Sequence, residues 1–167
     1  MTRRLAYADP PYPGQAARYA AGAAEVNLPL LVAHLRTFDG WALSTSASAL
    51  LAVWNLAPEA RCAAWCKPFA VNGWSRVRWS WEPVLFVTDR RGIAPGERST
   101  VRDALIASPN LAWKERAGSG GGAKPEAFVR WLLELLDWQP GDVLADLFPG
   151  SGAVTRHADA EQLTLLG

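Results

Sequence analysis

The 167-residue sequence predicts an α/β layered domain with a mainly parallel sheet. Short apolar runs typical of strands alternate along the chain with segments of helical periodicity. Two of these runs end in motifs rich in proline or glycine, which place turns at the ends of strands. Half of the residues are hydrophobic and a fifth are charged, which indicates a globular chain. The length is that of one domain, so we expect residues 1–167 to form a single unit.

The first predicted strand, residues 5–8, leads directly into Asp9-Pro10-Pro11-Tyr12. Because prolines lack an N–H and have a fixed φ, the strand must stop there and leave a stiff turn. Asp9 and the Pro10 carbonyl are suited to accept the two N–H bonds of an amino group on a planar ring, with Tyr12 stacked on its face. An ordinary turn after a strand is the alternative interpretation.

The middle of the chain is predicted to contain two helices and three strands. We expect helices over 25–38 and 47–56, the second with Ser46 as N-cap, and strands over 41–45, 61–67 and 77–88. The last two strands are expected to form a hairpin. Along 77–88, alternation places Val77, Trp79 and Trp81 on one face and Arg76, Arg78 and Glu82 on the other.

The two cysteines, Cys62 and Cys66, fall on one face of a predicted strand, about 13 Å apart and too far for a disulfide. Without nearby histidines they make a poor zinc site, so we expect reduced thiols in a cytoplasmic protein. No apolar run reaches the roughly 18 residues of a membrane span. Residues 89–123 carry little periodicity and are expected to form a long loop on the substrate side.

The second motif begins at the end of the chain's last clear apolar run. A helix starting at Lys124-Pro125-Glu126 is followed by a predicted buried strand over 143–148 and by Pro149-Gly150-Ser151-Gly152. Glycines let a ligand approach the backbone, and a helix N-terminus offers free N–H groups, which suits a nucleoside cofactor. A plain tight turn is the alternative. Since ligands in parallel sheets bind beyond strand carboxyl ends, we infer that this strand and residues 5–8 are neighbours.

These motifs, in this order, resemble the permuted S-adenosylmethionine-dependent methyltransferases that modify adenine N6 in nucleic acid. In that family an Asp-Pro-Pro-aromatic motif precedes a Phe-x-Gly-x-Gly motif, and a Lys-Pro helix lies just upstream of the latter. The nearest likeness is to the branch of the catalytic subunit of the eukaryotic messenger-RNA methyltransferase and its small bacterial and phage relatives. The resemblance implies a compact, circularly permuted, Rossmann-like class I fold with a β-hairpin.

The resemblance also implies roles for individual residues. Asp9 and the Pro10 carbonyl would hold the target amino group, Pro11 would keep the turn rigid, and Tyr12 would stack on the flipped base. Lys124 would pair with the cofactor's carboxylate. The methionine and ribose parts of S-adenosylmethionine would be surrounded by Ala8, Asp9, Asp146, Phe148, Gly150, Ser151 and Gly152.

The implied chemistry is in-line transfer of a methyl group from sulfonium to nitrogen, for which no metal is required. Asp at the first motif position favours adenine N6, because cytosine-N4 enzymes more often carry Ser there. In the usual fold a strand after the glycine loop ends in a residue that binds the cofactor's ribose or adenine. The sequence ends at Gly167 before such a strand, so we expect that contact to come from elsewhere or to be missing.

Basic and aromatic residues that cluster around the predicted hairpin suit phosphate contacts and base stacking. The candidates are Lys67, Asn72, Trp74, Arg76 and Arg78. The net charge of +1 provides no general basic field, so binding to DNA or RNA would depend on this local patch. Three alternatives remain open: a non-catalytic nucleic-acid-binding subunit, a cytosine-N4 enzyme and an amide methyltransferase. A homodimer or a partner subunit is also left open.

Overall fold

The computed structural model describes residues 2–14, 16, 24–68, 76–88, 100–109, 124–150 and 152–156. Six strands and three helices lie within them: β1 (Arg4–Ala8), α1 (Leu28–Leu35), β2 (Gly40–Ser44), α2 (Leu50–Leu56), β3 (Arg61–Cys66), β4 (Trp81–Val87), β5 (Ala104–Ile106), α3 (Glu126–Leu135) and β6 (Val143–Asp146). A helical turn over 153–156 follows β6. No helix among these residues combines the length and apolar character needed to cross a bilayer.

The strands form one sheet in the order β5-β3-β4-β2-β1-β6. β1 pairs in parallel with both β2 and β6, and β3 pairs in parallel with β5. β4 is antiparallel to β2 and β3, so among the described strands it alone runs in the opposite direction. The prediction of a mainly parallel sheet with a hairpin is confirmed, and the hairpin is β3–β4.

Helices cover both faces of the sheet. The alternation of β1 places Leu5 and Tyr7 toward α3, in a cluster with Phe128 and Leu132. The residues between them, Ala6 and Ala8, face a second cluster formed with α1 and α2. Because both faces are covered, β1 is buried from Leu5 onward and reads as an uninterrupted apolar run.

The helices begin later in the chain than the sequence predicted. α1 starts at Leu28 because the Asn27 side chain caps it, accepting the Leu30 N–H at 3.1 Å. α2 starts at Leu50 and not at residue 47, because the Ser46 hydroxyl accepts the Ala49 N–H at 3.2 Å within a preceding turn. The apolar stripe predicted for the helix after Lys124 is buried as expected.

Three strand predictions need correction. β4 starts at Trp81 and not at residue 77, because residues 76–80 are exposed and outside the ladder. The stretch predicted as a long loop contains β5, whose three residues are too few for alternation to reveal. β6 ends at Asp146 and is an edge strand of the described sheet, so Val143 is 57% exposed where a buried strand was expected.

An ion pair anchors the start of β1 to the turn before β6. The Asp142 carboxylate, 5% exposed, accepts the Arg3 backbone N–H at 2.9 Å, the Arg3 guanidinium at 2.9 and 3.1 Å, and the Gln139 N–H at 3.1 Å. Burial works against this carboxylate, but the bonds from Arg3 and Gln139 outweigh burial and lower the pKa of Asp142. Four donors on one carboxylate therefore hold together segments 139 positions apart in sequence.

We expect Asp142→Ala to lower the free energy of unfolding by about 2–3 kcal/mol at neutral pH, because it leaves two backbone N–H groups and a guanidinium unsatisfied. The measurement is urea denaturation followed by circular dichroism. A carboxyl with a lowered pKa stabilises the fold above its unfolded pKa of about 4, so the difference should shrink as the pH falls below that value. Glu59→Ala, which removes the exposed partner of Arg36, is the control and should have little effect. Equal effects of the two substitutions would contradict the anchoring role.

Candidate functional site

Two turns follow the neighbouring parallel strands β1 and β6 at one edge of the sheet. The register pairs Tyr7 with Asp146, and the Leu147 N–H donates to the Tyr7 carbonyl at 2.9 Å. Asp9, two residues beyond Tyr7, therefore begins its turn beside the glycine loop. The inference that these two strands are neighbours is confirmed.

The turn after β1 places a carboxylate at this edge. β1 ends at Ala8, Pro10 is buried, and Pro11 and Tyr12 are half-buried. Since neither proline has an N–H, the segment cannot continue the ladder that β1 shares with its neighbours. The Asp9 side chain keeps 30% of its surface exposed, so its carboxylate is accessible to a ligand.

The loop after β6 is held by the side chain that ends the strand. One oxygen of Asp146 accepts the Phe148 N–H at 3.3 Å, and the other accepts the Thr155 hydroxyl at 3.4 Å. Gly150 and Gly152 have φ values of 46° and 69°, a left-handed conformation that favours glycine. A Cβ at Gly150 would meet only the Phe148 carbonyl, at 3.8 Å, so a ligand can approach the backbone there.

Four charged side chains of alternating sign line the same edge. The Lys124 ammonium lies 3.2 Å from Oδ2 of Asp9 and 3.1 Å from Oε2 of Glu82. Lys67 donates to the other oxygen of Glu82. β4 is antiparallel to its neighbours, so its second residue, Glu82, lies where β2 and β3 end. We call the chain Asp9–Lys124–Glu82–Lys67 the charge cluster.

Aromatic rings replace water around the ammonium groups of the charge cluster. The Nζ atoms of Lys67 and Lys124 each lie 4.9 Å from the centroid of the Trp65 ring. The Phe128 centroid is 5.2 Å from the Lys124 Nζ. Trp65 is 2% exposed, and its indole N–H donates to the Ala107 carbonyl at 2.9 Å, which fixes the ring. Cation–π attraction therefore offsets part of the cost of removing two ammonium groups from water.

The charge cluster shifts the pKa values of its members in different directions. Burial would raise the pKa of Glu82, but the Lys124 and Lys67 ammonium groups outweigh it and lower that pKa to about 2. Burial raises the pKa of Asp9, and the Lys124 ammonium opposes only part of that rise. Burial works against the Lys124 ammonium, but Asp9 and Glu82 hold its pKa well above the usual value. Lys124 and Glu82 are therefore charged at neutral pH, and Asp9 is the stronger base of the two cluster carboxylates.

Two tyrosines lie beside Asp9. The buried Tyr7 hydroxyl lies 2.9 Å from the Ser44 hydroxyl at the end of β2, which ties the carboxyl ends of β1 and β2 together. Burial raises the pKa of both Tyr7 and Tyr12. Burial also raises the pKa of Asp146, with a contribution from the nearby Asp9 charge. Both tyrosines are neutral at this edge, so they contribute hydrogen bonds and ring surface but no charge.

The structure separates the residues predicted to contact nucleic acid. Arg76 and Arg78 are exposed, in a stretch where Trp79 is 50% exposed. Lys67 belongs to the charge cluster, and its side chain is only 11% exposed. Asn72 and Trp74 lie outside the described residues, as does Ser151 of the glycine loop.

Sequence reasoning missed Glu82 and Trp65 as members of this edge. Alternation placed Glu82 on the same strand face as Arg76 and Arg78, although it belongs to the otherwise apolar start of a strand. A carboxylate within an apolar strand requires a cation beside it when buried, and this requirement was the signal that could have identified Glu82. Trp65 gave no signal, because a buried tryptophan most often belongs to the core.

We expect Lys124→Met to destabilise the fold by roughly 3–5 kcal/mol at neutral pH, because it leaves two carboxylates in the charge cluster with one cation. Chemical denaturation measures the loss. The low pKa of Glu82 stabilises the fold above an unfolded value of about 4, and that stabilisation disappears as the pH falls through about 2. The difference from the parent should therefore be largest above pH ~5 and shrink on acidification. Lys124→Arg keeps the charge and is the control; a pH-independent loss would contradict the electrostatic explanation.

No protein-family model and no curated protein matches the sequence. Among solved structures, the chain is similar to the crystal structure of the M1.HpyAVI–SAM complex, with a TM-score of 0.63 and 16% identity over 96% of this chain and 79% of that chain. A crystal structure of M1.HpyAVI matches with a TM-score of 0.60 and 14% identity, over 97% of this chain and 78% of that chain. At these identities the likeness is one of fold. The predicted fold class is confirmed: the chain has the Rossmann-like α/β fold of methyltransferases.

Proposed function

We propose that this protein transfers a methyl group from S-adenosylmethionine to the exocyclic N6 of adenine in nucleic acid, with DNA favoured over RNA. One observation carries the proposal. The Asp9 turn and the glycine loop follow two parallel strands that pair with each other. The Lys124 ammonium lies 3.2 Å from the Asp9 carboxylate and also contacts Glu82 of β4. The fold shared with M1.HpyAVI, one of whose crystal structures is a complex with SAM, supports the choice of cofactor.

The residues at this edge fit such a cofactor. The backbone is open at Gly150, and the half-buried Asp146 carboxylate ends β6 beside the loop. The Lys124 ammonium has three N–H bonds, of which Asp9 and Glu82 take two, and the third is proposed for the cofactor's carboxylate. We propose that the cofactor's surroundings are completed by Ala8, Asp9, Phe148 and Gly152, and Ser151 is a further candidate from the sequence. When bound, S-adenosylmethionine supplies an electrophilic methyl group on a sulfonium.

The Asp9 turn is proposed to prepare the acceptor nitrogen. An amine conjugated to an aromatic ring is a poor nucleophile because its lone pair is delocalised. Asp9 and the Pro10 carbonyl accept its two N–H bonds, which localises the lone pair on nitrogen, and Pro11 keeps these acceptors in place. Tyr12 stacks on the base. Asp9 or water would take the proton that this nitrogen releases when it accepts the methyl group supplied by the cofactor. Burial, which raises the pKa of Asp9, makes it a better acceptor for that proton.

Contacts to nucleic acid are proposed for the exposed stretch that precedes β4. Arg76 and Arg78 are exposed and are proposed to contact phosphates, and further candidates from the sequence are Lys67, Asn72 and Trp74. An adenine in a duplex must be flipped out before its N6 can reach Asp9. A cytoplasmic location belongs to the same proposal, and association with a second copy or a partner subunit is compatible with it.

Asp9→Ala should lower the rate of methyl transfer by about 10²–10³-fold, because it removes one of the two acceptors that hold the amine. The measurement is incorporation of labelled methyl groups, with cofactor affinity determined separately by calorimetry and expected to be largely kept. Asp39→Ala is the matched control, since the Asp39 carboxylate accepts the Arg4 N–H at the opposite edge of the sheet. Transfer by Asp9→Ala at the parent rate would remove Asp9 from the mechanism.

Labelled cofactor incubated with DNA, RNA and oligonucleotides lacking adenine tests the substrate. We expect label in adenine-containing DNA, and N6-methyladenine by mass spectrometry of the digested product. Label in cytosine, or in a protein amide, would replace the proposed substrate. Cofactor binding without transfer to any of these would overturn the catalytic proposal, and no binding heat at all would favour a non-catalytic subunit.

Arg76→Ala and Arg78→Ala should each weaken the binding of DNA. For either variant the loss of affinity should be the same whatever the DNA sequence, because phosphate contacts carry no sequence information. Each substitution should reduce the slope of log K against log salt by about 1. Fluorescence anisotropy over a salt series measures the slopes. Arg36→Ala, at the C-cap of α1, is the control and should leave them unchanged. Unchanged slopes in both variants would place the phosphate contacts elsewhere.

A further inference from the structure

We propose that Lys67 is a positioning residue that, through Glu82, fixes the Lys124 ammonium against the Asp9 carboxylate; this inference rests on the proposed function. Lys67 does not touch Asp9 directly. It donates to one oxygen of Glu82, whose other oxygen accepts from Lys124 at 3.1 Å. Lys124 in turn lies 3.2 Å from Asp9. Three consecutive ion pairs therefore link the end of β3 to the carboxylate of the Asp-Pro-Pro-Tyr turn.

Two carboxylates, Asp9 and Glu82, share the Lys124 ammonium. Each oxygen of Glu82 has its own ammonium partner, so Glu82 has no need to draw Lys124 away from Asp9. Without Lys67, both oxygens of Glu82 would compete for Lys124. Lys124 is 11% exposed and Glu82 17%, so water replaces a lost partner poorly. Lys67 thus determines how much of the Lys124 charge remains available to Asp9.

The balance of charge supports the same conclusion. The charge cluster contains two carboxylates and two ammonium groups and is neutral as a whole. The three cluster groups beside Asp9 are two ammonium groups and one carboxylate, so removing the Lys67 charge lowers their net charge from +1 to zero. The groups that face Asp9 from neighbouring elements are Lys124, Glu82, Lys67, Tyr7, Tyr12 and Asp146. Lys67 and Lys124 are the cations among them, so the loss of either one favours protonation of Asp9.

The location of Lys67 favours this role over a phosphate contact. Its side chain is 11% exposed, and its ammonium lies 4.9 Å from the centroid of the fixed Trp65 ring. The Lys67 backbone N–H donates to the Ser80 carbonyl at 2.7 Å, which holds the residue between β3 and β4. A phosphate would have to break the pair with Glu82, whereas Arg76 and Arg78 are already exposed.

The test is the pH dependence of kcat/KM, which depends on the ionisation of Asp9 in the free enzyme. Lys67→Met should shift the acid limb of the profile to higher pH by about half a pH unit, which makes kcat/KM at a given pH on that limb ~3-fold lower. Glu82→Gln removes the competing negative charge and should shift the acid limb to lower pH. The double variant removes both charges and should return the limb close to that of the parent. Lys67→Arg keeps the cation and should also resemble the parent.

Arg36→Met is the charge-matched control, since Arg36, the C-cap of α1, is an exposed cation paired with Glu59. It should leave the acid limb in place. Titration of the Asp9 carboxyl by ¹³C NMR gives a second readout in the cofactor-free protein, with shifts expected in the same directions. This readout still tests the inference if no substrate is methylated, and in that case the proposed function would fail separately.

The inference would be overturned by an unmoved acid limb and unmoved Asp9 titration in Lys67→Met. If that variant instead lowers the salt slope of DNA binding by about 1, Lys67 is a phosphate contact. Because Lys67→Met could fold poorly, Glu82→Gln alone also decides: an acid limb that stays in place or rises contradicts the inference. A double variant shifted further upward than Lys67→Met would indicate loss of structure and would contradict positioning.

Discussion

The parallel pairing of β1 with β6 is the constraint on which the candidate site depends. It places the residues after Tyr7 beside those after Asp146. The hydrogen bond from the Leu147 N–H to the Tyr7 carbonyl extends the pairing by one residue beyond Asp146. At the other end of these strands, the Arg3–Asp142 pair sets the same register. With both ends held, the carboxylate turn and the glycine loop cannot move apart without breaking the sheet. A site built on strand ends is therefore as rigid as the strands that carry it.

The reversed direction of β4 adds a second contribution to the same edge. In a fully parallel sheet only residues that end strands would meet there. Because β4 begins at that edge, Glu82 lies beside the ends of β2 and β3, and its carboxylate accepts hydrogen bonds from two lysine ammonium groups. The aromatic rings of Trp65 and Phe128 enclose this cluster and reduce its contact with water. Interactions between charges are stronger in such surroundings, which makes the balance between the four groups sensitive to each one.

The parts that local chemistry determines could be predicted from the sequence. Prolines after Ala8 and glycines after Asp146 mark strand ends wherever the strands lie, and parallel sheets bring such ends together. Glu82 could not be assigned in this way, because its partners Lys67 and Lys124 are distant in sequence and their meeting depends on strand order. The start of β4 was placed four residues early, since Val77 and Trp79 alternate as a strand would, although the strand begins at Trp81. β5 is recognisable only by its pairing with β3. The alternation of apolar and polar residues indicates which face of a strand each residue lies on. Whether a segment joins a sheet depends on partner strands elsewhere in the chain.

The central place of β1 in the sheet has a consequence for how the chain is made. β1 is synthesised before its partner β6, which begins only at Val143. At about 5–20 residues per second, one side of this apolar strand waits on the order of ten seconds for its partner on the ribosome. Until then its unpaired N–H and C=O groups can pair with another nascent chain. Synthesis speed and chaperone access during that interval thus influence how much of the protein reaches its native state.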